Sequence, residues 1–210
     1  MIRFISNYHT SSLSRSQRSR RGLRSIRLKK GDIAIDCGAN TGGITEELAR
    51  RGATVYAFEP NPHAFSVLTS RFKNHAHIHC IPAGVGGEMS RQKLYFHEHS
   101  DNDEVAWSTG SSLFESKSNV LSEKYCEVDI VDLCQFIESL HDRVRVLKLD
   151  VEGAECEVLT KLISTGLIHR IDNVFAETHD HKIPDLAHAT NVLRERIEAR
   201  GLNHVDLNWE

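Results

Sequence analysis

The sequence predicts an α/β fold in which a mostly parallel sheet carries helices on both faces. From Gly31 onward, short apolar runs that end in turns alternate with amphipathic stretches. That rhythm is the mark of βαβ units. The run 144–149 is apolar except at Arg145 and Lys148, as a strand covered on both sides should be. No internal repeat or low-complexity domain breaks the pattern. A chain of 210 residues has room for one domain with a sizeable core, and not for a second full one.

Residues 1–30 read as a Ser/Arg-rich lead-in, with nine Lys or Arg and no acid. The whole chain has a net charge of −3, so residues 31–210 carry 17 basic against 29 acidic side chains. Such a start suits a transit peptide, a nucleic-acid arm or a membrane-surface contact. The preferred expectation is a partly disordered lead-in that rests loosely on its own acidic domain.

In the domain, 31–210, residues 32–37 form the first strand and 44–51 its helix, closed by Gly52. The second strand is 54–58. Its helix, 62–74, starts after Pro60-Asn61-Pro62 and places Phe65, Leu68 and Phe72 at helical spacing. Strand 78–81 leads into Ala83-Gly84-Val85-Gly86-Gly87, and 93–97 alternates as a half-buried strand. The polar stretch 100–123 is a long loop and the candidate lid, because loops of that length in compact domains tend to be functional or disordered. Then come an extended 125–130, a helix at 131–140, the central strand 144–149 and a helix at 155–168. Strand 173–176, helix 187–200 ended by Gly201, and a last strand at 203–209 complete the chain.

No apolar run approaches the roughly 20 residues that span a bilayer, and no secretion signal is seen, so the expected place is the cytoplasm. Cys37, Cys80, Cys126, Cys134 and Cys156 are odd in number and contain no C-x-x-C pair. Neither a disulfide framework nor a zinc knuckle is expected.

In parallel sheets ligands bind beyond the carboxyl ends of the strands. The polar residues that fall there are Asp36, Asn40, Glu59, Asn61, Asp150, Glu152, Glu177 and His179. Gly38 and Gly42 would bring bare backbone N–H groups and a helix N-terminus to the ligand, a setting that favours an anionic group. Glu59 can accept two hydrogen bonds from a ribose diol. Together they describe a nucleoside with a short charged tail. Asn40 stands where a dinucleotide fingerprint needs its second glycine, which disfavours a pyrophosphate, and there is no P-loop.

Four segments, Asp36-Cys37-Gly38-Ala39-Asn40-Thr41-Gly42, Phe58-Glu59-Pro60-Asn61-Pro62, Leu147-Lys148-Leu149-Asp150-Val151-Glu152-Gly153-Ala154-Glu155 and Ala176-Glu177-Thr178-His179, together resemble the FkbM family of S-adenosylmethionine-dependent methyltransferases. The likeness runs from about Gly31 to the end and leaves 1–30 unexplained. It implies a Rossmann-like class I methyltransferase fold with a seven-stranded, mostly parallel sheet. It also implies S-adenosylmethionine as cofactor, held by Asp36, Gly38, Ala39, Asn40, Gly42, Glu59, Pro60, Asn61, Ala83 and Asp150. The implied reaction is O-methylation of a sugar, polysaccharide precursor or polyketide-type natural product, so the partner is a small-molecule or saccharide acceptor.

A neutral alcohol must lose its proton during transfer, and general-base help contributes about 10²–10⁴-fold. The candidates are His179, which titrates near neutrality, and Asp150, Glu152 and Glu177, whose pKa values rise when like charges crowd. His179 is the preferred base, with Asp150 and Glu177 orienting the cofactor amine or the acceptor. Alternatively, Asp150, Glu152, Glu177 and His179 hold a divalent metal such as Mg²⁺ or Mn²⁺, which is not favoured. Glu155 and Glu157 read as first-turn acids that complement a helix dipole. Lys148 is either an ion-pair partner of these acids or a substrate contact. His75, His77 and His79 lie on one face of an extended segment and read as exposed. The rival functions are a non-catalytic nucleoside-binding module and an RNA methyltransferase that uses the basic arm. The acidic domain repels phosphate and the 7% aromatic content offers no stacking platform, so nucleic acid is not the expected partner.

Overall fold

The computed structural model describes residues 14–113, 119–180 and 183–209. Residues 1–13 of the lead-in and 114–118 of the polar loop lie outside them. The first described element is a helix, α1 (Arg15–Ser25). Ser14 accepts from the Gln17 amide while the Gln17 side chain accepts from the Ser14 amide, a reciprocal cap that satisfies two orphan donors. Leu23 is buried on the core, and the Arg20 guanidinium lies 5.5 Å from the Trp209 ring centroid. From Ser14 on, the lead-in is therefore a capped helix docked on the domain, not a loose segment. The S-x-x-Q spacing was its local signal.

The strand and helix rhythm follows: β1 (Ile33–Cys37), α2 (Gly43–Arg50), β2 (Thr54–Phe58), α3 (Pro62–Phe72) and β3 (Ile78–Ile81). Next come β4 (Ala83–Gly86), β5 (Ser90–His97) and β6 (Val120–Asp132), then α4 (Leu133–Ser139), β7 (Val144–Leu149) and α5 (Glu155–Ser164). The chain closes with β8 (Val174–Ala176), α6 (Ala187–Ala199) and β9 (Val205–Asp206). Asn61, ahead of Pro62, caps α3 by accepting from the His63 and Ala64 amides. Asp132 caps α4 in the same way.

The main sheet has the order β3-β2-β1-β7-β8-β9, and every pairing in it is parallel. Successive side chains point to opposite faces, and two cores result. Ile33, Ile35 and Cys37 pack with Leu133, Leu159 and Leu193 of α4, α5 and α6. On the other face Ala34, Val55 and Val146 pack with Leu23, Leu48 and Leu68 of α1, α2 and α3. Helices on both faces are thus as the sequence predicts.

The strand count is not. The main sheet has six strands, not the seven that the resemblance implies, and the segments read as 93–97 and 125–130 belong to a second sheet, β4-β6-β5. In it β4 runs parallel to β6 and β5 antiparallel. Gly84 and Gly86 permit this: a Cβ at either would come within 2.8 Å of the Ile130 side chain. Several boundaries also move: the helix read from 131 begins at Leu133, and the one read to 168 ends at Ser164. Residues 120–123 of the expected loop already belong to β6, and the last strand covers only Val205–Asp206.

Candidate functional site

The strand order reverses between β1 and β7, and a crevice opens at their carboxyl ends. A cavity lies there that encloses about 650 Å³ of empty space, its open mouth included. Gly38, Asn40, Glu59, Pro60 and Asn61 line one side. Asp150, Val151 and Glu152 line the other, and Gly84, Val85, Leu94 and Leu113 form an apolar wall. Ser108 and Ser111, from the 100–113 segment, complete it.

On the β1–β2 side the backbone makes the bonds. The Gly38 and Ala39 amides both donate to the Phe58 carbonyl at 3.0 and 2.9 Å, and the Gly42 amide donates to Ala39. The Thr41 amide donates to Asn40 Oδ1. Glu59 accepts the Asn40 amide on Oε2 at 2.7 Å and the Asn61 amide on Oε1 at 2.8 Å. The amides from Gly38 to Gly42 are therefore spent inside the protein. This corrects the expectation that the turn presents bare N–H groups to a ligand. The acceptor presented is Glu59, and burial pushes its carboxyl up to about 7, against the bonds from Asn61 and Asn40.

The glycines of this turn answer to packing. Gly38 has φ +75°, and a Cβ there would lie 1.8 Å from the Asp150 carbonyl oxygen; at Gly42, with φ +88°, it would meet Phe72 at 2.4 Å. Asn40 holds φ +50° and Glu152 φ +58°, left-handed conformations that cost about 1–3 kcal/mol each and gather at functional sites.

Beneath the cavity floor Lys148 ties the two central strands together. Its Nζ donates to the carbonyls of Gly38 at 2.7 Å and Cys37 at 3.1 Å, and lies 3.4 Å from Asp36 and 3.5 Å from Asp150. Burial pulls the ammonium pKa down, but Asp150 and Asp36 outweigh it and hold it above the ordinary lysine value. Of the two readings of Lys148, ion pairing is the one seen, with Asp36 and Asp150 as partners in place of Glu155 and Glu157.

On the β7–β8 side the bonds run between side chains. His179 is buried, with Nδ1 2.9 Å from Glu155 Oε1. Its Nε2 lies 3.3 Å from Glu152, 3.5 Å from Glu177 and 3.8 Å from Asp150. Burial lowers the imidazole pKa; the bond to Glu155 and the charges of Glu155, Glu152 and Glu177 more than reverse this, so the pKa stands above the ordinary histidine value. Glu155 does more than complement a dipole. It is buried and accepts the Val151 and Gly153 amides, which shapes the loop that carries Asp150 and Glu152. Donor atoms of Asp150, Glu152 and His179 all lie within 4.8 Å of one another, close enough to hold a cation.

Of the predicted site residues, Gly38, Asn40, Glu59, Pro60, Asn61, Asp150 and Glu152 face the cavity. Asp36 lies below it, fully buried, accepting from Thr45 Oγ1 at 2.7 Å. Ala39 and Gly42 sit in the packed turn, and Ala83 is buried one residue ahead of Gly84. Glu177 and His179 stand one layer behind Asp150 and Glu152. Leu94, from β5, had no site role in the sequence reading; Ser108, Ser111 and Leu113 come from the stretch read as the candidate lid, where no single residue had been picked out. The polar, serine-bearing stretch 100–113 was the available signal.

No helix among the described residues is long and apolar enough to cross a membrane. Residues 36–201 match the family model described as Methyltransferase FkbM domain. "Methyltransferase 1" of Beauveria bassiana is 29% identical, over 77% of this chain and 70% of that protein. A chloroplastic ribosomal RNA small subunit methyltransferase of Arabidopsis thaliana is 40% identical, but over only 21% of this chain and 13% of its own length. Among solved structures, a precorrin-6y C5,15-methyltransferase from Geobacter metallireducens GS-15 is 12% identical at a TM-score of 0.44, covering 89% of this chain and 74% of that one.

Proposed function

We propose, on the premise that this chain belongs to the FkbM methyltransferase family, that it transfers a methyl group from S-adenosylmethionine to a hydroxyl of a sugar or natural product. The observation that supports this most is Glu59, a buried carboxylate on the cavity wall whose two oxygens are fixed by the amides of Asn40 and Asn61. An acceptor so held suits a ribose diol, and it faces the acids Asp150 and Glu152 across one cavity. When bound, S-adenosylmethionine supplies an electrophilic methyl on a sulfonium.

The chain's own part is alignment and proton removal. Alignment is worth up to about 7–11 kcal/mol in favourable systems. The acceptor hydroxyl would take the methyl from the sulfonium, leaving a neutral thioether, and would give its proton to a base of this chain. Glu152 and Asp150 face the cavity, whereas His179 lies behind them with a raised pKa. His179 thus serves best as the cation that orients the carboxylates, and Glu152 or Asp150 takes the proton. Glu177, beside His179, completes the same charge balance.

Calorimetric titration with S-adenosylhomocysteine tests the reading: binding at the micromolar level is expected, and its absence overturns it. A second reading, a divalent metal held by Asp150, Glu152 and His179, is favoured by their close donor atoms and by Glu155 on the far imidazole nitrogen. Turnover that persists in a strong chelator removes the metal. Turnover lost in chelator and restored by Mg²⁺ or Mn²⁺ establishes it.

A further inference from the structure

The 100–113 segment is fastened to the same two residues that fix Glu59, and twice by the same plan. Asn40 gives its backbone amide to Glu59 Oε2, accepts the Thr41 amide on Oδ1, and donates from Nδ2 to Ser108 Oγ at 2.9 Å. Asn61 gives its backbone amide to Glu59 Oε1 and accepts the His63 amide on Oδ1. Its Nδ2 then donates to Ser111 Oγ at 3.1 Å. In each residue Oδ1 is committed to a local turn, so Nδ2 is the end turned to the covering segment. Ser108 and Ser111 are themselves buried, and Ser108 Oγ donates onward to the Val105 carbonyl at 2.7 Å. The segment is further seated by Trp107, whose ring stacks on His97 at 4.5 Å, and by Glu104, 2.8 Å from His63 at the start of α3.

The geometry points to Ser108 and Ser111 as positioning residues that couple closure of the 100–113 segment to occupancy of the nucleoside side of the cavity. A ligand hydroxyl on Glu59 steadies the carboxylate, hence Asn40 and Asn61, hence the two serines. By linkage, seating the serines tightens the hold on the ligand to the same degree. The cover would then respond to the nucleoside before any acceptor is present. It would bind before the acceptor, and its departure would end the cycle. The inference rests on the role proposed above for Glu59.

The test uses the full chain, with S-adenosylhomocysteine as the probe. S108A/S111A should weaken its binding about tenfold by calorimetry, the size expected for two neutral hydrogen bonds. In the wild type the probe should slow amide exchange across 104–113, and in the double variant that slowing should be lost. S108T/S111T, which keeps both hydroxyls, should restore it. The single variants, each with a weakening of a few-fold, answer the same question if the double variant melts early. Wild-type affinity together with wild-type exchange slowing in S108A/S111A would show a passive cover and overturn the coupling alone. A wild type that binds no probe would overturn the reading of Glu59, and the coupling with it.

Discussion

The two sides of the cavity hold their carboxylates by opposite means. On the β1–β2 side Glu59 is gripped by backbone amides, and the amides of the Gly38–Gly42 turn are consumed locally. On the β7–β8 side Asp150, Glu152, Glu155 and Glu177 converge on one imidazole, with Lys148 against Asp150. Backbone bonds place an oxygen as accurately as the strands are placed. Contacts between charged side chains depend on every partner's proton. Under the proposed function, the first side would hold a fixed ligand group and the second would manage charge during the reaction.

Two substitutions separate the sides most sharply. Glu59→Ala should weaken S-adenosylhomocysteine binding by about 100-fold, since a hydrogen-bonded, buried acceptor is lost to the ligand and to both asparagines. Glu152→Ala should leave that affinity within a few-fold while lowering turnover by about 10²–10⁴-fold, the usual worth of a general base. If the two variants show the same phenotype, the division is wrong.

Gly38→Ala attacks the joint between the sides. The new Cβ would clash with the Asp150 carbonyl and must adopt φ +75°, so a loss of about 3 kcal/mol in unfolding free energy is expected by denaturant titration. Binding and turnover should fall together.

The pH response is smaller and discriminates more finely. Glu59 rises from 4.5 unfolded to about 7 folded, so its stabilising contribution is complete below about 4.5 and lost as pH climbs through 7. His179, also raised, likewise contributes below its ordinary value near 6.5 and ceases to above its folded pKa. The ligand-free protein should therefore melt at a lower temperature at pH 8 than at pH 6. A ribose diol bonds the ionised form of Glu59, so S-adenosylhomocysteine should bind more tightly over the same interval, by up to about tenfold. Affinity that stays flat would take Glu59 out of nucleoside binding. Asp132 runs the other way: burial raises its carboxyl, Lys161 and the Gln135 amide outweigh that, and the lowered pKa gives stability that is lost in acid.

Much of this was legible because its causes are local. The βαβ rhythm, the cap of α3 at Asn61-Pro62, and the placing of Asp36, Glu59, Asp150 and Glu177 at strand ends each follow from periodicity or chemistry within a few residues. The docked helix α1 was legible too, in Ser14 and Gln17, but its arginines drew the reading toward disorder.

The sequence alone determined the order of strands and helices apart from α1 and β4, the residues at the strand ends and, by resemblance, the family. Only the tertiary structure decided that β4, β5 and β6 part from the main sheet, that Gly38 makes room for a carbonyl of the loop after β7, and that Lys148 pairs with Asp36. It also set His179 behind Glu152 and brought Ser108 and Ser111 onto Asn40 and Asn61. Each of these joins segments far apart in the chain. Which distant segments meet is settled by close packing and by the need to satisfy buried polar groups, and no window of neighbouring residues carries that information.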